Sequence, residues 1–181
     1  MAGPCQLDAN QMDAALRRLA GEIAEKLRGE PVVVLGIRSR GLPLAERIGA
    51  ALPASFHPAG GRAVPVGALD ITLYRDDISQ RAGSPIVRPT EIPFSLKDKT
   101  VVLVDDVLYT GRTIRAALDA LLDHGRPNKV LLAVLVDRGG RELPIQGDFV
   151  GLPLAVGANQ RVSVKVKELD GEDGVYLEEK K

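Results

Sequence analysis

Tryptophan is absent, and aromatic residues make up 3% of the 181 positions. Little aromatic surface is available for stacking on bases, so arginine planes must supply most of it. Cysteine occurs once, at Cys5, which excludes an internal disulfide and a disulfide-framed secreted fold. The two histidines, His57 and His124, stand far apart and give no zinc-site spacing. Neither sign of charge predominates: 24 Lys and Arg balance 24 Asp and Glu. That balance removes the argument for nucleic-acid binding that a strongly basic chain would carry. No apolar run approaches the ~20 residues of a membrane span, and the first residues lack the regions of a signal peptide. A soluble, cytoplasmic protein without a membrane partner is the expectation. Internal repeats and low-complexity tracts are lacking as well.

What is present describes a globular chain, 45% hydrophobic and 27% charged. Its length suits a single domain over residues 1–181 with a real core. Asp8 and Gln11 form a loose capping-box arrangement before an apolar stripe of Met12, Leu16, Leu19, Ile23 and Leu27. Residues 32–37 are continuously apolar, as in a strand buried on both faces. After the polar loop Arg38-Ser39-Arg40-Gly41, Pro43 marks a helix running to about Ala51. Residues 64–74 hold a second strand, and residues 75–99 read as a long mobile loop or hairpin. Residues 101–104 form another buried strand. The next helix carries Ile114, Leu118, Leu121 and Leu122 on one side and stops at Gly125. Residues 130–136 are the following strand, and the last forty residues read as short strands, with period-two alternation over 161–166.

Strands separated by helices predict an α/β fold with a parallel sheet. Ligands of such sheets sit outside the carboxyl ends of the strands. Residues 38–41, 105–113 and 137–140 are polar loops that fall there, so they are expected to form one site.

The stretch 101–113, VVLVDDVLYTGRT, is the most informative. Two carboxylates at a strand end, Asp105 and Asp106, suit ribose hydroxyls or Mg²⁺. Thr110, Gly111, Arg112 and Thr113 stand at a helix start, where free N–H groups and the helix dipole cradle phosphate. An acid pair followed by a phosphate cradle describes a sugar-phosphate site. A solvated acidic turn ahead of an ordinary helix is the competing reading. Walker A and GxGxxG patterns are absent. Tyr109 suits either stacking on a ligand or packing under the loop, and Asp137-Arg138 reads equally as a surface turn.

This stretch closely resembles the 5-phosphoribosyl 1-diphosphate (PRPP) motif of type I phosphoribosyltransferases. DITLYRDD at 70–77, LGIRSRG at 35–41 and LAVLVDRGGRELPI at 132–145 narrow the resemblance to the PyrR family, and it covers nearly the whole chain. Those proteins are bifunctional regulators of pyrimidine operons with uracil phosphoribosyltransferase activity. The resemblance implies the type I fold, a mainly parallel sheet flanked by helices with a small hood of short strands. It implies PRPP binding by Ser39, Arg40, Val102, Leu103, Val104, Asp105, Asp106, Val107, Leu108, Tyr109, Thr110, Gly111, Arg112 and Thr113. Within that set, Asp105 and Asp106 match the pair that holds the ribose hydroxyls, with Mg²⁺ bound directly or through water. Arg40 and Arg75 are the catalytic candidates for pyrophosphate, with Arg75, Asp76 and Asp77 in a closing loop. Asp137, Arg138 and Val162 lie where the family reads the base or nucleotide. Asp106 and Asp137 are weak candidates for a general base on uracil N1, and none is needed if the uracil anion binds.

The resemblance implies further partners: UMP or UTP, a hairpin in pyr operon messenger RNA for transcription attenuation, and a homodimer or larger homo-oligomer. Arg17, Arg18 and Arg141 match the basic RNA surface of the family. Gln146 and Leu152 depart from the pattern, because relatives typically carry Arg at the first position and often Lys at the second. Each departure removes a cation from the RNA face. A nucleotide-sensing RNA binder with vestigial catalysis, a phosphoribosyltransferase without RNA binding, and a purine-type enzyme are the alternatives.

Overall fold

The computed structural model describes residues 3–56, 63–76 and 87–180, so His57 and Asp77 lie outside the described residues. A short strand, β1 (Cys5–Leu7), precedes helix α1 (Ala9–Lys26). The Asp8 carboxylate accepts from the Gln11 N–H, and the Gln11 side chain accepts from the Asp8 N–H. The capping box is therefore complete. Met12, Leu16, Leu19, Ile23 and Leu27 are all buried, and burying each such side chain contributes about 1.5–3 kcal/mol before chain entropy is counted.

Five strands make the central sheet, in the order β3 (Val66–Leu69), β2 (Val32–Ile37), β4 (Thr100–Leu108), β5 (Lys129–Asp137), β6 (Phe149–Pro153). Every pairing in it is parallel. Val32 and Val34 face α1 and helix α2 (Gly41–Ala51), whereas Val33, Leu35 and Ile37 face helix α3 (Arg112–His124). Helices on both faces explain why β2 is apolar throughout rather than alternating. The strand order reverses direction between β2 and β4, so the crevice at their carboxyl ends is the place for a ligand.

A second sheet, of three antiparallel strands in the order β1, β8 (Gly174–Glu179), β7 (Gln160–Lys165), forms the hood. Helix α4 (Lys167–Asp170) follows β7. In the described part of the 75–99 segment, Glu91 forms an antiparallel bridge to Ala68 of β3.

Three expectations need correction. Helix α2 begins at Gly41, two residues before Pro43. Strand β4 runs on through Asp105 and Asp106 to Leu108. Leu122 is 56% exposed, because α3 turns Ala116, Ala117 and Ala120 toward the sheet along with Ile114 and Leu121. Small alanines let that helix lie close to the strands, and this rotates Leu122 out to solvent.

Candidate active site

Backbone proximity builds the floor of the site. A Cβ on Gly41 would lie 2.5 Å from the Val104 carbonyl oxygen, and one on Gly36 would lie 2.4 Å from Leu42 Cα. Glycine at both positions lets α2 start directly against β2 and β4. The Arg38–Ser39 peptide in this turn is cis.

Asp105 stands within the carboxyl-terminal half of β4 with 6% exposure. Its carboxylate accepts from the Asp106 N–H at 3.0 Å, and that of Asp106 accepts from the Val107 N–H at 2.8 Å. Burial raises the Asp105 carboxyl well above the usual range, and the neighbouring Asp106 charge adds to the rise. Burial raises Asp106 too, against the opposing Val107 N–H and Arg40 guanidinium. Burial and mutual repulsion thus favour the protonated form of the pair, a balance that a nearby cation would reverse.

Two cavities flank it. One of about 220 Å³ is lined by Arg38, Ser39, Arg40, Arg75, Asp105 and Asp106, with Ile37, Ile71, Val107 and Thr113. The other, about 250 Å³, is lined by residues 107–114 together with Arg75 and Asp76. Arg75, Val107 and Thr113 border both. Gly111, at φ +91°, turns the chain into α3, whose first residues, Arg112, Thr113 and Ile114, line the second cavity, and the Arg112 N–H donates to Thr110 Oγ1 at 3.3 Å. Val102, Leu103 and Val104 line neither cavity; they are buried strand residues that hold the acid pair in place.

The arginines differ in what they hold. Arg40 pairs with Asp170 through both Nε and Nη2. Arg112 is engaged by Glu142 and Asp76, and Arg115 by Asp119 and Asp76. Asp76 thereby fixes the chain beside Arg75 to the first turn of α3. Arg38 binds the Pro89 carbonyl and Glu91, and the Asp70 carboxylate accepts from the N–H groups of Thr72 and Arg88. These contacts dock residues 88–91 on the end of β3. The sequence placed Arg38 in the polar loop 38–41 and Asp76 in the closing loop, but it did not single out Asp70 or Asp170 as site supports. The one available signal was the place of Asp70 within a quoted motif; no motif marks Asp170.

The loop after β5 joins the loop after β4. Arg138 stacks on Tyr109, and its Nη2 donates to the Gln160 carbonyl. Among the described residues, the buried Nε of Arg138 has no hydrogen-bond partner. A Cβ on Gly140 would strike the Tyr109 ring at 2.5 Å. Asp137 is ion-paired with Arg141 and accepts from the Gly139 N–H. Burial pushes the Asp137 carboxyl up, but Arg141 and that N–H outweigh it and hold it below the usual range. A low carboxyl is a poor base at neutral pH.

This geometry has close counterparts among known proteins. A family model described as "Phosphoribosyl transferase domain" matches residues 6–167. The bifunctional protein PyrR of Thermus aquaticus is 57% identical over 175 residues, 96% of this chain and 94% of the relative. The chain belongs to the PyrR family. PyrR of Chloroflexus aurantiacus is 55% identical over 172 residues, 94% of this chain and 92% of the relative. Among solved structures, the hypoxanthine phosphoribosyltransferase of Trypanosoma cruzi aligns with TM-score 0.69 at 15% identity, covering 99% of this chain and 98% of that one. This likeness bears on the fold alone: the type I phosphoribosyltransferase architecture of the PyrR family is the one described above.

The residues expected from the resemblance to meet RNA fall into two groups. Arg17 and Arg18 lie on exposed turns of α1, paired with Asp13 and Glu22. Arg18 also donates to the Val150 and Gly151 carbonyls. Arg141 is largely enclosed: it donates to the Tyr109 and Ile145 carbonyls as well as to Asp137. Gln146 is exposed, whereas Leu152 is half-buried and packs on the core.

Proposed function

We propose that this chain, as one domain over residues 1–181, makes UMP and pyrophosphate from uracil and PRPP. It also regulates pyrimidine genes by uridine-nucleotide-dependent binding to pyr messenger RNA. The observation that carries the enzymatic half is the Asp105–Asp106 pair standing beside two cavities that share Arg75, Val107 and Thr113.

In this reading the α3 start and residues 107–113 take the 5-phosphate. The acid pair takes the ribose hydroxyls, and Ser39, Arg40 and Arg75 face the pyrophosphate. Uracil enters as its N1 anion, its proton left to solvent; the bond from C1′ to the pyrophosphate oxygen breaks while N1 bonds to C1′, and pyrophosphate departs with the electron pair. Positive charge grows on the ribose beside the buried carboxylates, which stabilise it strongly because little water screens them. Negative charge grows on the departing pyrophosphate, where guanidinium groups offer bidentate contacts. Arg138, stacked on Tyr109, is the residue assigned to reading the pyrimidine in this proposal. Asp137 and Val162 belong to the same base end, Asp137 acting through Arg141 and Val162 from β7.

Phosphoribosyltransferases generally use Mg²⁺ with PRPP, and the residues present fit it. Among the described residues no group of three or more His, Cys, Asp or Glu could hold a metal, and Mg²⁺ commonly takes only one or two carboxylates beside substrate phosphates. Asp105 and Asp106 would hold the ion, directly or through water, and it would neutralise charge on the pyrophosphate.

Labelled uracil, PRPP and Mg²⁺ are expected to yield labelled UMP at neutral to alkaline pH; no product above background overturns the enzymatic half. For the regulatory half, filter binding of pyr leader RNA is expected to strengthen with UMP. Turnover without RNA binding would favour a plain enzyme, a reading to which the missing cations at Gln146 and Leu152 lend weight. A homo-oligomer in the cytoplasm belongs to the same proposal, with light scattering as its measure of assembly. Among the described residues no helix is long and apolar enough to cross a membrane.

A further inference from the structure

The hood reaches the pyrophosphate side of the site through one carboxylate. Asp170, at the end of α4, accepts from Arg40 Nη2 at 2.8 Å and from Arg40 Nε at 3.2 Å. The Asp170 oxygen that meets Nε also accepts from the Val166 N–H at 2.9 Å. Val166 is fully buried next to β7, so this anchor is backbone fixed in the core. Helix α4 is tied down independently, because Arg47 of α2 pairs with Glu168 and Asp173. Asp173 in turn accepts from the Lys167 N–H.

We infer that Asp170 is a positioning residue for pyrophosphate, holding the Arg40 guanidinium at the cavity shared with Ser39, Asp105 and Asp106. The inference rests on the phosphoribosyltransferase reading above. A free arginine loses rotamer freedom when it grips a phosphate. An arginine already held along its Nε–Nη2 edge has lost that freedom beforehand and keeps its Nη1 edge for the anion. The negative charge of Asp170 opposes an incoming polyanion, so two effects compete. Positioning prevails because Asp170 is itself fixed by Val166 and only 21% exposed, whereas a screening counter-ion would be loose and solvated.

The test compares wild type with Asp170→Asn, Asp170→Glu and the control Glu168→Gln. Glu168→Gln loosens α4 by weakening its tie to Arg47 but leaves Arg40 untouched. Product inhibition by Mg²⁺-pyrophosphate and the KM for PRPP are measured beside the KM for uracil. Direct calorimetric binding of Mg²⁺-pyrophosphate accompanies them. Asp170→Asn is expected to weaken pyrophosphate and PRPP about tenfold, the scale of one charge-assisted contact, with the KM for uracil unchanged. Asp170→Glu is expected to recover part of the loss, and Glu168→Gln to lower thermal stability without altering pyrophosphate binding. Unchanged or tighter pyrophosphate binding in a folded Asp170→Asn protein overturns the inference. Equal weakening in Glu168→Gln also overturns it, since loosening α4 would then suffice. A wild type that makes no UMP overturns the function instead, and calorimetry still reads the Asp170 contribution on its own.

Discussion

The guanidinium of Arg138 lies 4.1 Å from the centroid of the Tyr109 ring. The two side chains come from the loops after β5 and β4, so their contact joins the end proposed for the base to the end proposed for the phosphate. The ring is covered by Arg138 on one side and crowded by Gly140, yet remains 41% exposed.

A cation–π contact of this kind is worth about 0.5–2 kcal/mol. Tyr109→Ala is therefore expected to raise the KM for uracil about tenfold, since 1.4 kcal/mol is a factor of ten. Tyr109→Phe keeps the ring and should stay close to wild type. Steady-state kinetics on both variants check this, and a Tyr109→Ala enzyme with an ordinary uracil KM would show that the stack does not orient Arg138.

The acid pair should separate activity from stability. Asp105→Asn and Asp106→Asn each remove a charge aimed at the reacting ribose, and kcat is expected to fall by about 100-fold or more. The thermal midpoint at pH 7 is expected to hold or rise. Burial raises both carboxyls, so the folded state holds their protons more tightly than the unfolded chain does. Such groups make folding less favourable as pH climbs above the ordinary Asp range, and a neutral amide relieves that penalty. Calorimetric melting beside the uracil assay reads both effects.

The α2–α4 clamp should weaken in acid. Burial works to raise Asp173, but Arg47 and the Lys167 N–H prevail and hold it below the usual range. In Glu168 the Arg47 hydrogen bond is the leading influence and lowers the carboxyl. A lowered carboxyl contributes stability that is present above the unfolded value and disappears as pH falls through the folded one. Asp173→Asn is expected to reduce stability by about 1 kcal/mol at pH 7, with partial solvent screening allowed for. The melting temperature of the variant should also fall less steeply with acid, and melting curves from neutral pH down to pH ~3 check the sign.

The candidate RNA arginines should not behave alike. Arg17 is 73% exposed beside Asp13, so Arg17→Ala is expected to weaken leader-RNA binding and spare UMP formation. Arg141→Ala removes three contacts that shape the loop from Tyr109 to Ile145. It is expected to lower both activities and the melting temperature together. Filter binding, the uracil assay and melting on the two variants decide between a surface cation and an internal brace.

Local and periodic features were legible in the sequence. The Asp8–Gln11 box, the α1 stripe and the buried β2 run depend on residues a few positions apart, and they formed as the pattern implies. The acid pair and the α3 start were legible for the same reason. Distant pairings were not. Strand β1 has three residues, too few for alternation to register, and its partner β8 lies at the other end of the chain. The Arg40–Asp170 pair joins residues 130 positions apart, so no spacing announces it. Leu122 misled because helical periodicity marks a stripe without saying which edge of it meets the sheet.

The shared wall of Arg75, Val107 and Thr113 gives the two cavities a further property. The two compartments meet along this wall, the acid pair on one side and the α3 start on the other. Under the proposed function the pair is a calliper: it would gauge the span between two anionic groups, and a ligand with a single phosphate would fill one jaw and leave the other open.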